Sequence, residues 1–458
     1  MYKQELPNMV FENAPVSYPR LMQINKILNA GLLAVDPCEA VLSSIQVFRN
    51  SINILGEIIK FFDYQRVVLV GFGKASQRMA LGVKIALGKL LKKGIIITKI
   101  NNSVLENELS PEIVTLIGDH PIPGKNSIES TNKIIKFIKE LNKDDLVICV
   151  ISGGGSSLFT QPNKGISLNE MQSISEKLIL SGADISEINA VRRQIDRMKG
   201  GGLARLVYPI RIVSLILSDV IGDSLSTIAS GPTILPNGMK INAWEVIDKY
   251  HLDEKVSHRI KEIIENDKWK DNSEGGDDKI YQNVTNIIIA NNTQMLAEVM
   301  MNARRLGFVG EVISSQIQGD SRQIGQMLGE RMRELKRTKP PDSKPICLVA
   351  GGETTIFVKG KGKGGRNLET AFACAKEIDG IEDVCFVALA TDGEDGSTNS
   401  AGAIVTGHTM SRARDLKLVP ALFQERNDTY HFFDRVGGLI KTGSTGKNVN
   451  DVYLLIVY

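Results

Sequence analysis

From residue 21 the chain carries two hydrophobic rhythms. "LMQINKILNAGLLAV" and "CEAVLSSIQVFRNSINILGEIIKFF" repeat apolar residues at helical spacing and predict helices through the early chain. Short apolar runs follow, and each leads into a polar turn. "RVVLV" runs into "GFGKAS", "DLVICVI" into "SGGGSS" and "RIVSLIL" into "SDVIGDS"; "TNIIIA" runs into "NNTQ", "ICLVA" into "GGETT" and "CFVALA" into "TDGEDGS". Helical stretches separate most of these runs, which predicts a largely parallel α/β sheet. Ligands gather beyond the carboxyl ends of strands in such sheets. Here those ends carry glycine, amides, small hydroxyls and acids.

Two aperiodic stretches interrupt the pattern, the charged 266–279 and the Pro/Lys loop 336–345. The first is the expected domain boundary and gives domains 1–275 and 276–458. A length of 458 residues suits two or three domains. Net charge is only +3, too small for a field that drives non-specific nucleic-acid binding. The five cysteines, Cys38, Cys149, Cys347, Cys374 and Cys385, form no C-x-x-C pair and sit mostly in apolar runs. That fits a reducing compartment and neither a disulfide scaffold nor a zinc site. The polar, proline-bearing N-terminus is unlike a signal peptide, and no apolar run is long enough for a membrane span. The expectation is a cytoplasmic protein of small-molecule substrates, with no nucleic-acid or membrane partner; whether it forms a homo-oligomer stays open.

The loops supply the candidate chemistry. "GKGKGGRNLET" sets Gly364, Gly365, Arg366 and Asn367 at the start of a helical stretch, either an anion cradle or a solvated basic loop. "GFGKAS" puts Gly71, Gly73 and Lys74 after a strand. It falls short of the dinucleotide fingerprint: Ser76 stands at the third glycine, and the next strand ends without the ribose-binding acid. No Walker A loop is present. Ser152, Gly153, Gly154, Gly155 and Ser156 form a second glycine loop suited to an anion-binding nest. Residues 183–206 read as one helix in which Asn189, Arg192 and Asp196 share a face, with Lys199 beside the glycines that end it. Asp219, Asp223, Glu353, Asp392 and Asp395 follow strands. Carboxylates of this kind, with cations nearby, are the inventory of Mg²⁺-assisted phosphoryl transfer, although each could also cap a helix.

Together the segments resemble the type II glycerate kinase family, glycerate 2-kinases whose C-terminal domain is called MOFRL. The matching pieces are "GFGKAS", "DHPIPGKNS", "ISGGGSSL", "NAVRRQIDRMKGGGLA", "LSDVIGDSLSTIASGPT", "GGETT", "GKGGRNLE", "TDGEDGSTNSAGA" and "TGKNVND", in family order from about residue 70 to residue 451. The resemblance implies two α/β domains, the first with a Rossmann-like, largely parallel sheet, and an active-site cleft between them. It implies ATP with Mg²⁺ as donor and D-glycerate as acceptor, phosphorylated on its 2-hydroxyl to 2-phosphoglycerate. It gives catalytic roles to Lys74 and Arg366. The glycine loops, Asn189, Arg192, Lys199 and Asn367 are the expected substrate or nucleotide contacts. Asp219, Asp223, Glu353 and Asp392 are the candidate metal ligands. Gln194 stands where the family has histidine, Ser397 and Asn399 where it has proline and aspartate, and Ser444 and Lys447 where it has proline and threonine. Two rival functions are a nicotinamide-dependent hydroxypyruvate reductase and a non-catalytic nucleotide-binding relative.

Overall fold

The structure is a computed structural model that describes residues 9–234, 241–252, 256–265, 279–280 and 282–458. It divides into two compact units, Pro37–Ile289 and a second made of Met1–Asp36 with Ala290–Tyr458. The boundary expected at 275/276, and the 266–279 stretch apart from its last residue, lie outside the described residues.

In the Pro37–Ile289 unit, six strands form one sheet. Their order is Val284–Ala290, Arg211–Leu217, Asp145–Ile151, Arg66–Phe72, Leu91–Thr98, Ile113–Ile117. Every pairing from Arg211–Leu217 to Ile113–Ile117 is parallel. In chain order this is the Rossmann-like 3-2-1-4-5-6, which reverses between Arg66–Phe72 and Asp145–Ile151. Both of these strands are almost continuously apolar because both sheet faces are covered. Val68, Val70, Phe72, Val147, Cys149 and Ile151 enter one core, where Phe72 stacks on Phe159 with ring centroids 4.3 Å apart. Each such side chain contributes on the order of 2 kcal/mol by leaving water. This core fixes the two strand ends from which the glycine loops emerge.

Two expectations for this unit are corrected. The stretch 38–62 is not helical throughout. Helix Pro37–Ser44 gives way to a three-stranded antiparallel sheet, Ile45–Val47, Ser51–Ile54 and Glu57–Lys60. Leu55 and Gly56, with φ of 47° and 98°, make the tight turn between the last two strands, and that turn overrides the helical spacing. Nor do residues 183–206 form one helix: Ile185–Ile195 and Gly202–Val207 are separate. Asp196 leaves the helix because its carboxylate accepts from Thr160 Oγ1 at 2.5 Å and from the backbone N–H groups of Gln161 and Met198 at 3.0 and 2.9 Å.

The second unit carries a seven-stranded sheet in the order Val10–Glu12, Leu439–Lys441, Gly402–Thr406, Val384–Ala390, Asp451–Val457, Ile346–Thr355, Val312–Asp320. It is mainly antiparallel, with a parallel pair only between Val312–Asp320 and Ile346–Thr355. The largely parallel reading fails here because the last strand, Asp451–Val457, inserts between Ile346–Thr355 and Val384–Ala390 and opposes both. Those two therefore still run in one direction. Their carboxyl ends, together with the start of Asp451–Val457, share one sheet edge.

The first 36 residues belong with this unit rather than with the sequence that follows them. Helix Tyr18–Ala34 packs on helix Asn292–Arg305, and Gly31 lets them approach so closely that a Cβ there would run into Val299. Asp36 pairs with Lys447 at 3.5 Å, both side chains nearly buried. All five cysteines are buried, and none is in a disulfide. No single helix among the described residues is long and apolar enough to cross a membrane.

Candidate active site

Two clusters of the expected residues form, one in each unit. The first lies where the parallel sheet reverses order. The turn after Arg66–Phe72 is tied to the loop after Asp145–Ile151 by two bonds. Lys74 N–H donates to Gly153 O at 2.9 Å, and Ala75 N–H to Ser152 Oγ at 3.0 Å. The turn needs glycine at 73, where φ is +123° and a Cβ would lie 2.5 Å from the Ser152 carbonyl oxygen. Gly154 takes φ of +79°, and the place its Cβ would occupy is 2.9 Å from the His120 ring and 3.1 Å from Lys74 Cγ. Lys74, Gly154 and His120 are thus neighbours, with the lysine exposed. Gly153 carries no side chain because the Asp219 carboxylate sits against it, its Cγ 2.6 Å from a would-be Cβ. Burial raises the Asp219 carboxyl above its usual range, and Lys74 draws it back down.

Beside this loop is a cavity of about 150 Å³, lined among others by His120, Gly154, Ser156, Arg192, Asp196 and Lys199. Four of the expected contacts, Gly154, Ser156, Arg192 and Lys199, share it. Ser156 Oγ lies 2.9 Å from Ser230 Oγ, which donates to Asn189 Oδ1 at 2.8 Å, so Asn189 supports the wall through Ser230. Lys199 is 2% exposed, donates to Phe159 O at 2.6 Å and lies 3.8 Å from Asp196. Burial lowers its pKa to about 8 against the pull of Asp196. Burial also lowers Arg192, which Asp196 partly offsets.

Gly71 and Gly155 are packing residues. Gly71 lies inside its strand against Val150, and Gly155 faces Phe72 and Ala229. Asp223 follows Asp219 in a turn with φ of +55°.

The second cluster occupies the shared sheet edge of the other unit. Arg366 opens helix Arg366–Glu377. Its Nε donates to Asp451 Oδ2 at 2.7 Å, its Nη2 to Asp451 Oδ1 at 3.0 Å, and its Nη1 to Glu353 Oε1 at 2.9 Å. Burial alone would lower the Arg366 pKa, but Asp451 and Glu353 more than reverse this. Asp395 caps the same helix, accepting from the backbone N–H groups of Asn367 and Leu368 at 3.0 and 2.8 Å. Burial pushes its carboxyl up to about 7 even though those bonds favour the charged form. Gly365 lies against Asp395 with no room for a side chain, and Gly364 against Thr429. Asn367 is fully buried and its side chain lies on Asp395, so it positions the helix start. A cavity of about 540 Å³ opens here, lined by Gln318, Glu353, Thr354, Thr355, Ile356, Arg366 and Gly396. Asp392 accepts from the Glu394 N–H at 3.1 Å.

Sequence reasoning passed over two participants. Asp451 stands at the first position of a strand after a turn-like "GKNVN", where an acid reads as punctuation. His120 sits in "GDHPIPG", whose only signal was the resemblance itself. Among the described residues no group of three or more His, Cys, Asp or Glu side chains is assembled as a metal cage.

The chain matches two family models, "Domain of unknown function (DUF4147)" over residues 23–265 and "MOFRL family" over 346–451. It is 36% identical to "D-glycerate 2-kinase" of Thermotoga maritima, over 92% of this chain and 99% of that protein. It is 33% identical to "Putative hydroxypyruvate reductase" of Agrobacterium vitis, over 86% of this chain and 99% of the relative. The crystal structure of glycerate kinase from Thermotoga maritima superposes with a TM-score of 0.82 at 34% identity, covering 96% of this chain and all of that one.

Proposed function

The chain belongs to the glycerate kinase family in which a DUF4147 domain precedes a MOFRL domain, and from that premise we propose how its residues divide the work. It is a glycerate 2-kinase. The reaction moves the terminal phosphoryl group of ATP to the 2-hydroxyl of D-glycerate, giving 2-phosphoglycerate and ADP.

One observation carries the assignment. Lys74 is held by its main chain to Gly153 at the reversal point of a parallel sheet, beside the Ser152–Ser156 loop, with its side chain exposed. A cation at that place stabilises negative charge developing on phosphoryl oxygens. In the other unit, Arg366 is braced on two sides by Asp451 and Glu353. Its guanidinium is held rigid while 27% of the side chain stays exposed. We assign Arg366 to the phosphates as well, with the 540 Å³ cavity beside it as the nucleotide's place.

Mg²⁺ is held in kinases by one or two carboxylates plus substrate phosphates and water, so a full protein cage is not required. Asp219 is the carboxylate placed for that role, since it lies against Gly153 in the loop to which the Lys74 main chain is tied. Glu353 is engaged with Arg366 and reads as its brace. When bound, the ion offsets phosphate charge. Lys74 and Asp219 do the local work of this chain: the lysine attracts the phosphoryl oxygens, and the aspartate sets their distance from the glycine loop. Buried cysteines outside any disulfide favour a reducing compartment such as the cytoplasm.

The reductase name of one relative raises a second reading, and the second strand of the parallel sheet speaks against it. Beyond Thr98, where an acid would hold a ribose, come Lys99, Ile100 and Asn101, and Asn101 Oδ1 accepts from Gln77 Nε2 at 2.7 Å. Phosphorus NMR of the product made from Mg-ATP and D-glycerate tests the proposal. A 2-phosphoglycerate resonance is expected; NADH consumption with hydroxypyruvate and no phosphorylated product would overturn it.

A further inference from the structure

We propose that the 150 Å³ cavity of the Pro37–Ile289 unit is the acceptor pocket, in which His120 hydrogen-bonds a hydroxyl of the three-carbon acid and Arg192 takes its carboxylate. The inference rests on the kinase reading above and sharpens it. It separates the acceptor's residues from the nucleotide's and adds a residue the sequence did not single out.

Size comes first. An apolar cavity of about this volume holds one benzene, so a ligand of roughly six or seven heavy atoms fits and a nucleotide does not. The wall is mixed where that example is apolar throughout: Pro121, Pro123 and Met171 stand beside two cations, Asp196, several hydroxyls and an imidazole. A small hydroxy acid is the matching chemistry. Of the two cations, Lys199 already donates to Phe159 O and lies near Asp196. Arg192 has the planar fork that meets a carboxylate with two parallel bonds.

His120 supplies the second observation. Its Nδ1 is buried with no hydrogen-bond partner among the described residues. Burial, then the charges of Lys74 and Lys99, lower its pKa to about 4, so near neutrality the ring is uncharged and offers one donor and one acceptor. The buried, unpartnered Nδ1 suits the unprotonated nitrogen, which leaves the proton on Nε2 to donate to a ligand hydroxyl without adding charge. The Cδ2–Nε2 edge of the ring abuts Gly154 on the side where Lys74 passes, which sets a hydroxyl held by Nε2 beside the lysine given to the phosphoryl group.

The test is steady-state kinetics of the full chain with D-glycerate and Mg-ATP varied separately, for His120→Ala, His120→Asn, Arg192→Ala and Ser175→Val. Ser175 lines the same cavity, and its larger replacement narrows it. Expected is a KM for glycerate raised at least tenfold in His120→Ala, Arg192→Ala and Ser175→Val, with the KM for ATP within twofold of wild type. His120→Asn, whose amide reaches only the Nδ1 position and not that of Nε2, stays as impaired as His120→Ala. If His120→Ala melts far below wild type, His120→Asn and Ser175→Val carry the comparison. A raised KM for ATP with that for glycerate unchanged, or no change in either, overturns the pocket while leaving the kinase standing. A wild-type chain that does not phosphorylate glycerate overturns both.

Discussion

Both carboxylate oxygens of Asp451 accept from Arg366, Oδ2 from Nε at 2.7 Å and Oδ1 from Nη2 at 3.0 Å, while Glu353 takes the remaining guanidinium arm. Asp451 is fully buried at the first position of an interior strand of its sheet, so the pair couples the orientation of Arg366 to the core. Removing Asp451 leaves the mostly buried guanidinium with Glu353 on one arm alone. We expect Asp451→Ala to lose about 3 kcal/mol of stability, measured by urea denaturation. We expect its kcat to fall further than Glu353→Gln, because Glu353 braces only one arm. Equal stability of Asp451→Ala and wild type would show that the pair carries no such weight.

The junction between the two glycine loops gives a backbone prediction. Gly73→Ala forces a side chain into a left-handed conformation and against the Ser152 carbonyl oxygen. A cost of about 2 kcal/mol or more is expected, with most activity lost. Adding Ser152→Ala does not rescue it, because the carbonyl remains; a rescued double variant would place the conflict in the serine hydroxyl instead.

What the sequence made legible follows from which forces are local. The strands Arg66–Phe72, Asp145–Ile151 and Arg211–Leu217 are short, apolar and followed by glycine or acid, and they form where the pattern places them. Strand direction leaves no such mark, so the insertion of Asp451–Val457 into the second sheet, and with it the partner of Arg366, could not be read. The packing of Tyr18–Ala34 on Asn292–Arg305 joins residues far apart in the chain, and local periodicity reports the helix but not its partner. In 38–62 the turn at Leu55–Gly56 was the available signal for strands, and helical spacing masked it. Lys74, Gly153 and Arg366 stand out in the sequence as candidates because glycine and cation together at a strand end or helix start are unusual. His120 was not, since a histidine in a proline loop has many ordinary explanations.

His120 also gives a pH dependence whose sign is fixed. Its pKa is about 4 in the fold against about 6.5 for an exposed ring. Between those values the unfolded chain binds the extra proton, so this group's share of stability falls as pH drops from 6.5 to 4 and is constant above 6.5. His120→Gln removes that share. The stability of the variant relative to wild type should therefore rise toward acid, by at most about 1.4 kcal/mol per pH unit and less to the extent that solvent reaches the half-buried ring. Denaturation curves from pH 7 to pH 4 measure it; a constant difference would contradict a neutral, buried ring.

Asp219 is assigned to the metal. Asp219→Asn keeps the shape beside Gly153 and removes the charge, so the Mg²⁺ concentration for half-maximal activity should rise at least tenfold while the melting temperature holds or increases, because the buried carboxylate is costly in the fold. An unchanged Mg²⁺ dependence would move the metal to another carboxylate.

The central claim is that Lys74 and Arg366 each serve transfer of phosphate to glycerate. ADP release from Mg-ATP in the presence of D-glycerate, compared for wild type, Lys74→Ala and Arg366→Ala, tests it most directly. Each substitution should lower kcat by about a hundredfold or more. Near wild-type turnover in a folded Lys74→Ala or Arg366→Ala enzyme would contradict the account.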